Sequence, residues 1–264
     1  MSSEQQELAI YRRLLKPLAA LLAEPGPHLL DGAMGTELAR RGFRGLPEAA
    51  LTEAPWLVKA IHAEYAALGA RLVLTATLNV LTEGDARAIA PKAVALAREA
   101  APDALVAADL GPGVSEAEAA GVLAAFAAAG ADLAWAETQL ESPAARALVA
   151  AAHRAGLECV VTFAAAGAEE VAALADAVPD ADAVGWNCLP DAHDAELVVR
   201  ALLRPARFVV AKPNAGRTHG VSPEDFAEGL KAATRAGARL VGGCCGAGPA
   251  HLAALARALA LAQR

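Results

Sequence analysis

The chain has 264 residues, 56% of them hydrophobic and only 4% aromatic, and carries a net charge of −7. That length suits one large domain or two small ones, with a sizeable core filled mainly by alanine, and an acidic balance without a basic block argues against nucleic acid as a partner. The opening Met1-Ser2-Ser3-Glu4-Gln5-Gln6-Glu7 is unlike a signal peptide, no apolar run of about 18 residues suggests a membrane helix, and four cysteines do not make a disulfide framework, so a reducing cytoplasm is the expected setting.

Residues 7–24 read as an amphipathic helix, with Pro25-Gly26-Pro27 as the joint to the first strand. Residues 1–26 are therefore expected to form a short helical extension that plugs the bottom of the main domain or packs on its side. From there short β-type runs alternate with longer alanine-rich helical runs. Strands are expected at 28–31, 71–77, 104–110, 133–137, 158–163, 183–188, 207–212 and 239–243. Helices are expected at 55–68, 85–100, 115–129, 142–155, 168–177, 192–203, 223–236 and 249–260. Capping signals mark several starts, at Ser115-x-x-Glu118, Ser142-Pro143 and Ser222-Pro223-Glu224. Stop signals mark several ends, at Gly69, Gly130, Gly156 and Gly237.

Eight β-then-α units over residues 27–264 are the count for a single α/β domain of the (β/α)8 TIM-barrel class; a doubly wound open sheet is the alternative. The strand ends favour the barrel. Asp31, Thr75, Thr77, Asp109, Glu137, Asn187, Cys188, Lys212, Asn214, Cys244 and Cys245 all fall at carboxyl ends of strands, which in a barrel converge on one mouth. The segment 40–53, with Arg40, Arg41 and Arg44, is the longest connection after any strand and reads as a solvated loop or, alternatively, as a loop that completes the mouth.

The chemistry concentrates in Gly242-Gly243-Cys244-Cys245-Gly246 and Gly185-Trp186-Asn187-Cys188. Successive strand residues point to opposite faces, so Cys244 and Cys245 can bind one ion only if the backbone turns between them, which the flanking glycines permit. With Cys188 as the third ligand, the set suits Zn2+ with one position left open. Three thiolates leave such a site at net −1, and a substrate thiolate makes it −2. That keeps a bound sulfur nucleophilic and acidifies water poorly. Cys159 reads as a small buried hydrophobe.

These residues carry a family resemblance. Asp31-Gly32-Ala33-Met34-Gly35-Thr36-Glu37-Leu38, Ala136-Glu137-Thr138, Gly185-Trp186-Asn187-Cys188-Leu189-Pro190, Pro213-Asn214-Ala215-Gly216 and Gly242-Gly243-Cys244-Cys245-Gly246 resemble, in order, the motifs of the homocysteine S-methyltransferase family. The resemblance implies a (β/α)8 barrel that transfers a methyl group to the thiol of homocysteine, giving methionine. Cys188, Cys244 and Cys245 would hold zinc, and the metal-bound substrate thiolate would be the nucleophile, so no protein side chain need act as one. Asp31 and Glu137 would hold the amino group, and the backbone near Gly32 and the Asn187 side chain would complete the substrate site. The donor would be S-methylmethionine, S-adenosylmethionine, betaine or a methylated corrinoid on a partner protein.

Two places depart from the pattern. Gly111-Pro112-Gly113-Val114-Ser115 lacks the tyrosine and long loop expected after strand three, and Thr75-Ala76-Thr77-Leu78-Asn79 lacks an aromatic residue. Both fall on the donor side of the mouth, so the donor and the oligomeric state stay open. Two other readings stand beside this one: a barrel lyase with Lys212 as Schiff-base nucleophile, and a non-catalytic module that binds zinc and homocysteine for a partner. His62, His153, His193 and His251 are expected at the surface, and His219 in a mobile loop.

Overall fold

The computed structural model describes residues 16–80, 83–189, 191–216 and 220–260. Its eight strands are β1 His28–Leu29, β2 Leu72–Leu74, β3 Leu105–Leu110, β4 Leu133–Gln139, β5 Glu158–Phe163, β6 Ala183–Cys188, β7 Val209–Pro213 and β8 Ala238–Val241. All pairings are parallel, in the order β1-β8-β7-β6-β5-β4-β3-β2. The sheet closes through one bridge between Leu30 and Leu72, backed by the Asp31 N–H on the Leu72 carbonyl at 3.2 Å. The architecture is a (β/α)8 TIM barrel, as its β-then-α rhythm predicts.

Side-chain alternation along each strand sorts the residues into two cores. One face packs on the helices and the other fills the barrel, where Leu72, Leu74, Ala107, Leu133, Trp135, Val160, Val210 and Leu240 stack. Because both faces are covered, β5 is buried at every residue, as expected for a parallel sheet.

Helix α1, Pro17–Ala23, lies beneath this stack and inserts Leu18, Leu21 and Leu22 into it. It is a plug rather than a side-packed helix. Glu158, at the start of β5, accepts the Leu18 and Ala19 N–H groups at 2.7 and 3.0 Å, so a carboxylate meets the positive end of the helix.

The helices outside the barrel match the expected pattern with two additions. Segment 40–53 is not an open loop: α2, Met34–Arg40, ends at its first residue, and α3, Pro47–Glu53, occupies its second half. Pro47 at the helix start followed by Glu48-Ala49-Ala50-Leu51 is a helix signal, masked in the sequence by Gly42 and Gly45 close before it. Arg40 and Arg41 are also tied down. Arg40 bonds Glu37 at 2.6 Å and the Gly246 carbonyl at 3.2 Å, and Arg41 pairs with Glu64 at 2.7 Å.

Then come α4 Pro55–Ala67, α5 Glu83–Ala100, α6 Glu116–Ala129, α7 Ser142–Arg154, α8 Ala168–Asp176, α9 Ala195–Leu202, α10 Pro223–Ala236 and α11 Pro249–Ala258. Ser115 and Ser222 cap α6 and α10 by accepting the Glu118 and Asp225 N–H groups. Ser142 does not cap α7; it is the first helical residue, preceded by Glu141 at the cap position. Gly69, Gly130, Gly156 and Gly237 take positive φ at helix ends, the conformation that favours glycine there.

Two histidines depart from the surface expectation. His251 is half-buried, edge-on to Phe226, with Nε2 at 3.0 Å from the Val221 carbonyl. His62, on α4, is fully buried and neither ring nitrogen has a hydrogen-bond partner. Burial pushes its pKa from 6.5 down to about 4, against the nearby Asp31 carboxylate, which pulls it up. A histidine with a depressed folded pKa contributes its full stability above its unfolded value and loses it as pH falls. The protein is therefore expected to lose about 3 kcal/mol between pH 6.5 and 4 through this residue alone. Urea denaturation across that range should show the loss in the wild type and remove that increment in His62→Leu. Equal pH slopes in the two proteins would refute the assignment.

Candidate active site

The residue two positions beyond each inward apolar side chain points the same way, one layer higher. On β3 that step leads from Ala107 to Asp109, on β4 from Trp135 to Glu137, on β5 from Val160 to Thr162, and on β7 from Val210 to Lys212. The apolar stack thus ends in a polar layer at the mouth, joined to the layer below by a Trp135–Thr162 hydrogen bond of 3.1 Å. A cavity of about 150 Å3 opens above it, with Asp31, Asp109, Glu137 and Lys212 on its floor and Cys244 and Cys245 on its wall.

The thiols lie together. Cys188 Sγ is 3.1 Å from Cys244 Sγ and 3.9 Å from Cys245 Sγ, and the vicinal pair is 4.0 Å apart. Local backbone geometry makes this possible. Cys188 takes a left-handed φ of 65° and Gly246 one of 83°. A side chain at Gly242 would overlap the Asp31 carbonyl, and one at Gly243 would overlap Ala247, so both positions need glycine for close approach. Asn187 holds the cluster from behind: its Oδ1 accepts the Thr138 N–H at 2.9 Å, and its Nδ2 donates to Thr138 Oγ1 at 2.6 Å. The same Nδ2 lies 3.7 and 3.6 Å from the Cys188 and Cys244 sulfurs. Thr138 reaches this position through its own left-handed φ of 55°, where β4 loses register with β5.

A tetrahedral zinc with Zn–S bonds of ~2.3 Å sets its sulfurs about 3.8 Å apart. The observed triangle matches on two edges, and only the Cys188–Cys244 edge has to widen. The electrostatics also call for a cation. The Cys188 thiol is pushed far up by its hydrogen bonds to Cys244 and Cys245 and by burial. Cys188 favours ionisation of Cys244, yet Cys245 and burial outweigh it and leave that thiol raised as well. Three thiols this close cannot ionise together unless a positive centre joins them. Cys159 lies apart, buried in the outer core with its thiol pushed well up by burial.

Across the cavity, Lys212 is buried with Nζ 3.0 Å from Asp31 Oδ1 and 3.6 Å from Glu137 Oε1, over the face of Trp135. Burial works against its charge, but Asp31 and Glu137 more than offset this and hold it protonated. A lysine fixed in that form is no amine nucleophile, so the lyase reading loses its residue. Asp31 Oδ2 accepts the Leu74 N–H at 2.7 Å. Glu137 is raised to about 7, chiefly by burial, although Lys212 pulls it down. Gly32 lines the cavity where a Cβ would overlap the Ala247 carbonyl. Asp109 read in the sequence only as a strand-end residue and Lys212 as the nucleophile of the lyase reading; the parity of their strands is the signal that both face inward. His219 lies outside the described residues.

The model of the family described as homocysteine S-methyltransferase matches residues 28–259. The chain belongs to that family. It is 31% identical to the homocysteine S-methyltransferase of Escherichia coli strain K12, over 90% of this chain and 97% of that protein. It is 27% identical to homocysteine S-methyltransferase 4 of Zea mays, over 90% of this chain and 91% of that one. The metallated form of the homocysteine methyltransferase MmuM from Escherichia coli superposes with a TM-score of 0.74 at 29% identity, covering 91% of this chain and 99% of that one. Membership makes the protein a methyltransferase and favours neither the lyase nor the non-catalytic module. The alignment to the Escherichia coli protein runs over 303 positions, more than this whole chain contains, so that homocysteine S-methyltransferase carries insertions lacking here. In this chain β3 passes directly through Gly111 and Val114 into α6. Among the described residues no helix is long and apolar enough to cross a membrane.

Proposed function

We propose that this methyltransferase uses homocysteine as its methyl acceptor and yields methionine, with zinc held by Cys188, Cys244 and Cys245. The three-thiol cluster on the wall of an acid-floored cavity carries this reading. Bound there, zinc would keep the substrate sulfur ionised at neutral pH, where a free thiol with a pKa near 8.5 is mostly protonated.

The chain's own residues orient the reaction. Asn187 directs an N–H toward the Cys188 and Cys244 sulfurs and so steadies two ligands in their ionised form. The carboxylates on the floor suit the ammonium end of an amino acid, and Met34, Leu74 and Leu78 add apolar lining to the same cavity. The short β3–α6 connection leaves the donor side open. It suits S-methylmethionine, S-adenosylmethionine or a corrinoid protein docking face-on. The barrel, residues 27–264, is the catalytic unit in this reading, residues 1–26 its extension, and the cytoplasm its setting.

Metal analysis of anaerobically purified protein, followed by homocysteine titration calorimetry and a screen of the three donors, tests the proposal. About one zinc per chain is expected, with homocysteine binding only to the metal-loaded form. Folded protein that takes up neither zinc nor homocysteine would overturn it.

A further inference from the structure

The backbone around the vicinal thiols is tied down, mostly by other backbone groups. The Cys244 N–H donates to the Pro213 carbonyl at 2.9 Å, and the Cys244 carbonyl accepts the Ala247 N–H at 3.0 Å. The Cys245 carbonyl accepts the Ala215 N–H at 3.0 Å. Gly246 is held differently. Its N–H donates to Thr36 Oγ1 at 3.2 Å. Its carbonyl accepts from Arg40 Nη2 at 3.2 Å, beside the Gly248 N–H at 3.1 Å. Side chains of α2 therefore grip both backbone groups of the residue that follows Cys245.

Gly246 turns the chain with a φ of 83°, and glycine leaves such a conformation more readily than any other residue once nothing holds it. Thr36 and Arg40 lie one turn apart on α2 and so share a face of it. Arg40 is half-exposed, yet its direction is set. Glu37, 6% exposed, accepts Arg40 Nη1 at 2.6 Å, which leaves the other arm of the planar guanidinium for Gly246. Gly248 makes room for this pair, because a side chain there would overlap Glu37 Oε1 and crowd the guanidinium.

We propose that α2 is a clamp on the metal-binding turn: Thr36 and Arg40 hold Gly246, and through it Cys245, where the three sulfurs can close on one ion. The inference rests on Cys188, Cys244 and Cys245 binding zinc. Thr36 and Arg40 are positioning residues in it, and neither is a ligand. A turn held in place before the metal arrives loses less freedom on binding, so the clamp raises metal affinity rather than the stability of the barrel.

Two measurements on the same preparations test it: competition for Zn2+ against a chromophoric chelator, with no substrate present, and melting of the metal-free protein. Thr36→Val keeps the shape and removes the acceptor, Thr36→Ser restores the hydroxyl, and Arg40→Met keeps the stem and removes the donor. Thr36→Val and Arg40→Met are each expected to weaken zinc binding about 10- to 100-fold, the range for a lost partner behind a metal ligand, and Thr36→Ser by less than about threefold. The metal-free melting temperature of Arg40→Met should hardly move, since its ion pair with Glu37 is half-exposed and screened. Arg40→Met decides the matter alone should Thr36→Val fail to fold. Wild-type zinc affinity in the folded variants would overturn the clamp, and so would a Thr36→Ser as weak as Thr36→Val. Either result leaves the three cysteines standing as the metal site. A wild-type protein that takes up no zinc would overturn both.

Discussion

Cys245→Ser is expected to empty the metal site and lower methyl transfer by roughly a thousandfold or more, since a metal supplies several kcal/mol of barrier lowering. Serine matches the size of cysteine, but its hydroxyl is far harder to ionise than a thiol and is a weak zinc ligand. Cys188 and Cys244 would remain as two thiols 3.1 Å apart, too few to close the site. Cys245 is only half-buried at the rim of the mouth, so the fold should survive the change. Zinc per chain and single-turnover rate, measured on the same preparation, check this. Cys159→Ala is the internal control: that thiol packs in the outer core, so its loss should lower stability and leave zinc content unchanged. Full zinc and full rate in Cys245→Ser would remove Cys245 from the ligand set.

Lys212→Met is expected to cost about 3–5 kcal/mol of stability at neutral pH, the usual penalty for leaving buried charges without their partner. Methionine keeps an unbranched stem over Trp135 and removes only the ammonium. Asp31 then loses its 3.0 Å ion pair, and Glu137 loses the cation that now pulls its pKa down. Glu137 would therefore rise further in the folded state. A carboxylate raised above its unfolded value is best tolerated below that value and costs stability as pH rises through the folded pKa. The deficit should be largest at neutral pH and above, and shrink on acidification toward about pH 4. Urea denaturation of wild type and variant at several pH values measures it. A deficit independent of pH would mean that lost packing, not lost charge, is the cause. A variant as stable as the wild type that has lost all turnover would return Lys212 to a chemical role.

Much of this protein was legible before folding was considered. Eight alternations of an apolar run and an alanine-rich helix, punctuated by glycines at helix ends, determined the barrel, because backbone periodicity and glycine's freedom at positive φ are local properties. The strand-end positions of Cys188, Cys244, Cys245, Asp31 and Glu137 likewise put them at one mouth, since all parallel strands of a barrel end on the same side. Short elements escaped: α3 is seven residues long behind two glycines, and β1 shrinks to two residues closed by a bridge at Leu30. Local sequence carries too little signal over such lengths.

Only the tertiary structure decided who partners whom. Lys212 meets Asp31 across 181 positions of chain, and Asn187 reaches Thr138 across 49. The plug formed by α1 seals the barrel through Leu18, Leu21 and Leu22, and His62 turns inward on a helix whose pattern gave it no special place. Ion pairing and burial depend on distances fixed by the closed sheet, and sequence spacing holds no information about them. The residue types and their strand-end positions were therefore determined locally. Three carboxylates and a single ammonium met on one floor only when eight strands closed.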